Sequence, residues 1–133
     1  TKATNTSAAP VPVALQLRAE FSTPVIDNSA MSFQRLNGET VDTTFVVEGA
    51  EPTGKATWTG PQRPASPWRL RGPGSALSVH FQDSQVERSY LNWTAKSTSG
   101  VTFGLWSAER VLAPGESLQL DTGYTTLTRA PGN

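Results

Sequence analysis

Between residues 11 and 21 the chain alternates with a period of two. Val11, Val13, Leu15, Leu17, Ala19 and Phe21 hold the odd positions, and from Ala14 onward the even positions turn polar, with Gln16, Arg18 and Glu20. Successive side chains of a strand point to opposite faces, so this run sends an apolar set into a core and a polar set toward water. It commits the N-terminal region to a β-strand packed on a core.

The same period recurs along the chain. Met31 and Phe33 alternate around Ser32, and Asn37-Gly38 follows as a hairpin signal. Val41, Thr43, Phe45 and Val47 then share one face, with Asp42 and Thr44 on the other, which predicts an antiparallel hairpin. Further runs are Leu77, Val79, Phe81; Leu91, Trp93, Ala95; Val101, Phe103, Leu105; Leu118, Leu120 after the Pro114-Gly115 turn; and Tyr124–Thr128 after Asp121-Thr122-Gly123. Residues 49–75 are punctuated by Pro and Gly, so only Lys55–Thr59 and Trp68–Arg71 are expected to be strands there. Pro61, Pro64, Pro67 and Pro73 argue against a longer central strand in that stretch.

No segment carries helical i, i+3, i+4 spacing over three turns, and Ser84–Ser89 offers one helical turn at most. Eight or nine short strands separated by turn signals predict an all-β, single-domain antiparallel β-sandwich, immunoglobulin-like in wiring, with a jelly roll as the alternative. Residues 1–10, TKATNTSAAP, are small and polar and read as a flexible leader, with the sandwich domain over 11–133. The closing RAPGN reads as frayed. The first residue is Thr1 rather than Met, which fits a processed chain.

Composition narrows the chemistry. The chain has no cysteine, which excludes disulfides, thiolate metal sites and a Cys nucleophile. Its 11 basic and 11 acidic residues cancel, which argues against nucleic acid as a partner. No run of 18 apolar residues exists to span a membrane. His80 is the only histidine, and its neighbours Ser78, Asp83 and Ser84 do not form a nucleophile elbow. With no glycine-rich phosphate loop and no metal-ligand spacing, neither an enzyme nor a cofactor nor a metal is expected.

One stretch stands out as a surface candidate. TWTGPQRPASPWRLRGPG, residues 57–74, gathers Trp58, Arg63, Trp68, Arg69 and Arg71. Aromatic faces stack on the apolar faces of sugars, and Arg forks grip carboxylates or sulfates in bidentate fashion. The competing reading puts Trp58 and Trp68 in the core, with the arginines reaching out from its edge. Trp106 falls off the odd-position pattern of Val101–Leu105 and is a second candidate. Asn5-Thr6-Ser7 and Asn92-Trp93-Thr94 match the glycosylation acceptor pattern.

Residues 13–30, VALQLRAEFSTPVIDNSA, resemble the start of cysteine-free chaperone–usher fimbrial subunits. In those, an alternating apolar strand runs into a Phe, then a Pro and an Ile-Asp; here Leu15, Leu17, Phe21, Pro24, Ile26 and Asp27 stand in such positions. The resemblance implies an incomplete immunoglobulin-like sandwich completed by strand addition from a second copy, with a periplasmic chaperone as an assembly partner. Val11, Val13, Leu15 and Leu17 would be the donor-strand side chains. The function it implies is a non-enzymatic structural and adhesive subunit at the cell surface, exported via the periplasm and attaching to host surfaces. Two other readings stand beside it: a secreted carbohydrate-binding module or lectin using the Trp/Arg stretch on a glycan or anionic receptor, and a viral or phage coat or decoration protein.

Overall fold

The computed structural model describes residues 1–22, 29–45, 53–72, 75–94 and 100–128. Their strands are β1 (Lys2–Thr4), β2 (Val11–Val13), β3 (Gln16–Ser22), β4 (Ala30–Arg35), β5 (Thr40–Thr44), β6 (Thr53–Thr59), β7 (Pro64–Gly72), β8 (Ser75–Phe81), β9 (Arg88–Thr94), β10 (Gly100–Trp106), β11 (Arg110–Leu112), β12 (Ser117–Gln119) and β13 (Thr122–Thr128). The helical content of these residues is two short 3-10 turns, Gly60–Gln62 and Asp83–Gln85.

The architecture is an antiparallel β-sandwich. One layer is four-stranded in the order β3-β10-β9-β6, and the other is five-stranded in the order β13-β8-β7-β4-β5. Two short ladders, β1 with β12 and β2 with β11, close one end. This observed strand order takes the place of the choice between immunoglobulin-like and jelly-roll wiring. The β4–β5 hairpin forms as the Asn37-Gly38 signal predicts, with Gly38 at φ 92°, a left-handed conformation that Gly adopts without steric cost.

Alternation explains how the layers meet. Leu17 and Ala19 on β3, Val101, Phe103 and Leu105 on β10, Leu91 on β9 and Trp58 on β6 face inward, and Met31, Phe33, Trp68, Leu70, Val79 and Phe81 answer from the opposite layer. Trp68 is fully buried and stacks on Phe103, with ring centroids 4.4 Å apart and planes 5° from parallel. Phe33 meets Trp58 edge-on at 5.2 Å, and Phe45 meets Trp93 at 5.5 Å. Aromatic pairs at such spacings add to the burial term that holds the two sheets together.

Three expectations are corrected. First, the alternating run is not one strand: it breaks at Ala14-Leu15 into β2 and β3. Ser107 bridges the break. Its Oγ accepts the Leu15 N–H at 2.8 Å, and its own N–H donates to the Leu15 carbonyl at 2.9 Å, so both backbone groups of Leu15 stay bonded where the chain changes ladders.

Second, β7 is a central strand although it begins at Pro64 and contains Pro67. The register between β4 and β7 shifts between Ser32 and Gln34, and pairing of β7 with β8 starts at Trp68, so Pro67 lies outside both ladders. Ser66 replaces the lost pairing: its N–H donates to Asp83 Oδ1 at 2.8 Å, and its Oγ accepts the Phe81 N–H at 2.9 Å. Proline is tolerated at a strand's first residue and at a bulge, and both positions are used here.

Third, residues 1–10 are tied into the fold rather than leading up to it. Lys2, Ala3 and Thr4 pair with Gln119, Leu118 and Ser117. Asn5 is buried: its amide donates to the Ala9 and Leu112 carbonyls, both at 2.8 Å, and its Oδ1 accepts from Ser7 N–H and Oγ. A polar composition concealed a buried, fully bonded asparagine. That bonding also occupies the amide nitrogen of the first glycosylation match. Pro24, Ile26, Asp27, Val47, Pro73, Ala95 and the RAPGN tail lie outside the described residues.

Candidate functional site

The Trp/Arg stretch is split three ways by the fold. Trp58 and Trp68 point into the core, at 9% and 0% exposure, so neither presents a face to a ligand. Arg69 and Arg71 alternate with Trp68 and Leu70 and are exposed on the outer face of the five-stranded layer. Arg63 lies beyond β6 at one end of the sandwich, half-buried, with its Nε donating to the Gly60 carbonyl at 3.1 Å and its Nη1 to the Val86 carbonyl. Residues adjacent in sequence therefore serve an inside, an outside and an end.

The donor-strand candidates belong to ladders of their own chain. Val11 and Val13 sit in β2, paired with Leu112 and Arg110. Leu15 and Leu17 are half-buried and pack against the core. Val11 is exposed, and Val13 is half-buried.

Trp106 is where the outer surface gathers candidate side chains. It follows Leu105 on β10 and so points away from the core, half-buried. Register places Gln16 on one side of it and Arg88 on the other, with Thr59 next to Arg88, so a row runs across the four-stranded layer from β3 to β6. The next outward row is Arg18, Gly104, Tyr90 and Thr57. Gly104 is the gap that shapes the site. A Cβ at 104 would lie 1.9 Å from Tyr90 Cε1 and 2.2 Å from Cζ, so the tyrosine ring fills the space that a side chain there would take. Gln16 Nε2 donates to the Tyr90 hydroxyl at 3.0 Å, which holds the ring in place across the β10 strand. The Arg88 guanidinium carbon sits 4.4 Å from the Trp106 ring centroid, a cation–π contact.

These side chains border a depression of about 260 Å³ lined by Gln16, Thr57, Arg88, Tyr90 and Trp106. Arg88 also lines a second depression of about 490 Å³ with Arg63 and Glu87. Arg63 and Glu87 in turn line a third, of about 460 Å³, with Arg110. Shared wall residues set the three side by side, a track of neighbouring depressions from the aromatic shelf toward Ser117–Gln119 on β12. Along it stand two half-buried aromatic rings, Trp106 with the Arg88 guanidinium over its face, the amides of Gln16, Gln85 and Gln119, several Ser and Thr hydroxyls, three guanidinium groups and the Glu87 carboxylate.

Elsewhere, His80 is exposed on β8, and its Nε2 is 3.1 Å from Thr125 Oγ1, a solvent-facing partnership. Among the described residues no group of three or more His, Asp or Glu side chains is placed to hold a metal. No helix of those residues is long and apolar enough to cross a membrane.

Trp106 was visible in the sequence as an aromatic off the alternation. Gln16, Arg88, Tyr90 and Arg110 were not, because they come from three separate stretches that only the fold brings to one side of the domain. The available signal was Gly104, a glycine inside a strand pattern, which marks a close approach to another group.

No protein-family model matches the chain, and no curated relative matches it. Its backbone is similar to the crystal structure of the Slr1438 protein from Synechocystis sp. PCC 6803, with a TM-score of 0.69 at 10% sequence identity. The match covers 96% of this chain and 49% of that one, so this chain spans about half of its length. At that identity the likeness concerns the fold.

Proposed function

We propose that this protein is a non-enzymatic binding domain of the carbohydrate-recognising type, acting at an extracellular or cell-surface location through the outer face of the β3-β10-β9-β6 layer. The observation that carries this reading is Tyr90 seated on Gly104 beside Trp106, with Gln16 and Thr57 around them. A sugar ring has an apolar face and a rim of hydroxyls. Rigid aromatic rings suit the first, and amide or hydroxyl groups suit the second. The rings stand on strands rather than loops, so the surface is formed before the ligand arrives and little ordering accompanies binding. This moves the lectin reading from Trp58 and Trp68, which are core, to Trp106 and Tyr90.

The strand-exchange reading asks residues 8–17 to leave β11 and Ser107 for another copy. Exchange would have to break the β2–β11 ladder and the two Leu15–Ser107 hydrogen bonds made within the chain.

Glycan binding followed by intrinsic tryptophan fluorescence and calorimetry tests the proposal. Tyr90→Ala and Trp106→Ala are each expected to weaken saccharide binding about tenfold or more, as loss of an aromatic anchor does, with the melting temperature nearly unchanged. A broad saccharide panel without a binder, or variants that bind as the parent does, overturns it.

A further inference from the structure

We infer that the ligand of this face is an anionic glycan chain, its sugar rings on the Tyr90–Trp106 shelf and its carboxylate or sulfate groups on Arg88, Arg63 and Arg110. The inference rests on the carbohydrate reading of the shelf and adds the ligand's charge and its direction.

Three observations support it. The shelf does not end at Arg88: the depression it borders shares Arg88 with the next, and that one shares Arg63 with the last, where Arg110 stands. Three depressions set side by side along shared residues suit a linear chain better than a single ring. The cations along it are also open to a ligand. Arg88 and Arg110 are exposed, and neither makes an ion pair among the described residues. Arg63 has its Nε and Nη1 engaged by backbone carbonyls, which fixes the guanidinium plane while leaving other N–H donors of the fork unused. Finally, the balance of the whole chain is zero, with 11 basic and 11 acidic residues, yet the track carries three guanidinium groups against one carboxylate, Glu87. Glu87 is exposed and pairs with none of them among the described residues.

Arginine is the residue suited to this task. Its planar fork meets a carboxylate or sulfate with two parallel hydrogen bonds, and it stacks on an aromatic ring at the same time. Arg88 already does the second on Trp106, and its guanidinium stands where shelf and track join.

The test is calorimetric titration of the full chain with three length-matched probes: heparin oligosaccharides, their chemically desulfated form that keeps the carboxylates, and neutral dextran oligosaccharides. Arg88→Gln, Arg110→Gln, Tyr90→Ala and the double variant Arg69→Gln/Arg71→Gln are compared with the parent. Arg63 holds two backbone carbonyls and is left unsubstituted, and Arg110→Gln carries the argument for the far end of the track. The expected result is binding of one or both charged probes and not of dextran. Arg110→Gln and Arg88→Gln should each weaken it about tenfold, Tyr90→Ala should weaken it too, and the Arg69/Arg71 pair on the opposite layer should leave it unchanged. Binding of heparin alone assigns the track to sulfate; retention by the desulfated form assigns it to carboxylate.

Equal binding of dextran, with no effect of Arg110→Gln, overturns the inference and leaves the shelf reading standing. Loss of binding in the arginine variants with none in Tyr90→Ala overturns both, since the track would then be an anion site without a sugar. An equal loss in the Arg69/Arg71 variant also overturns the inference, because charge alone would explain it.

Discussion

Tyr90 and Gly104 face each other across the β9–β10 ladder so closely that no side chain fits at 104 beneath the tyrosine ring. This single contact fixes the height and tilt of the shelf. Gly104→Ala is therefore expected to disturb binding without substituting any ligand-contacting residue, by lifting the Tyr90 ring and breaking its hydrogen bond from Gln16. Forcing a methyl group into that space costs about 1–3 kcal/mol. Saccharide titration and a thermal melt of the same variant check it; unchanged affinity with a lowered melting temperature would separate the ring's structural role from recognition.

Trp68 and Trp106 give opposite readouts of the same substitution. Trp68→Ala removes a fully buried indole from its stack on Phe103 and is expected to cost about 3–5 kcal/mol. Trp106→Ala removes a half-buried ring from the outer face and should cost about 1 kcal/mol or less, through the lost contact with Arg88. Chemical denaturation of the two variants side by side measures the difference.

Asn5 ties the first residues to the far end of the chain. In Asn5→Ala the Ala9 and Leu112 carbonyls lose their donor, the latter in a buried setting, at a cost of about 1–3 kcal/mol. The variant should also expose β1 and β2 to proteolysis, because those two ladders are three residues long. Limited digestion with N-terminal mapping checks this: cleavage confined to other regions at parent rates contradicts it.

Asp121 supplies a pH dependence whose sign follows from its partners. Gln119 Nε2, which donates to Oδ1 at 3.0 Å, and then Gln85 Nε2, which donates to Oδ2 at 3.4 Å, favour the charged carboxylate and hold it below its ordinary value of 3.8. A depressed carboxylate contributes stability at neutral pH that fades as pH falls through 3.8 and on through the lower folded-state value. Stability measured by denaturant titration from pH 7 to pH 2 should therefore decline less steeply in Asp121→Asn than in the parent. Parallel curves would mean the two amides do not favour the charged form.

The sandwich was legible where its signals are local. Asn37-Gly38 sets a hairpin by turn chemistry alone, and Leu77–Phe81 or Val101–Leu105 declare an inner face by alternation. What stayed hidden depends on partners distant in sequence. Nothing around Leu15 announces that Ser107 will take its N–H and split the first strand. Nothing near Pro67 says that Asp83 and Phe81 will bond Ser66 and let a central strand carry a proline. The candidate site shows the same division. Trp106 was visible because its parity is wrong for the core. Its neighbours Gln16 and Arg88 become neighbours only through the registers of β10 with β3 and with β9. The Trp58–Arg71 stretch misled for the converse reason: closeness in sequence suggested a cluster that alternation and a turn then dispersed.

The pairing of β1, β2 and β3 with β12, β11 and β10 has a consequence for synthesis. The first strands made are matched only with strands from Gly100 onward, so a chain emerging from the ribosome carries Val11, Val13, Leu15 and Leu17 without their partners until most of the domain exists. Long-range pairing of this kind is slow because loop closure precedes any stabilising contact. The alternation that defines the folded sandwich is thus, for the duration of translation, an unsatisfied strand edge of the sort that self-associates. Residues 100–119 must therefore be made before the first three strands meet their partners.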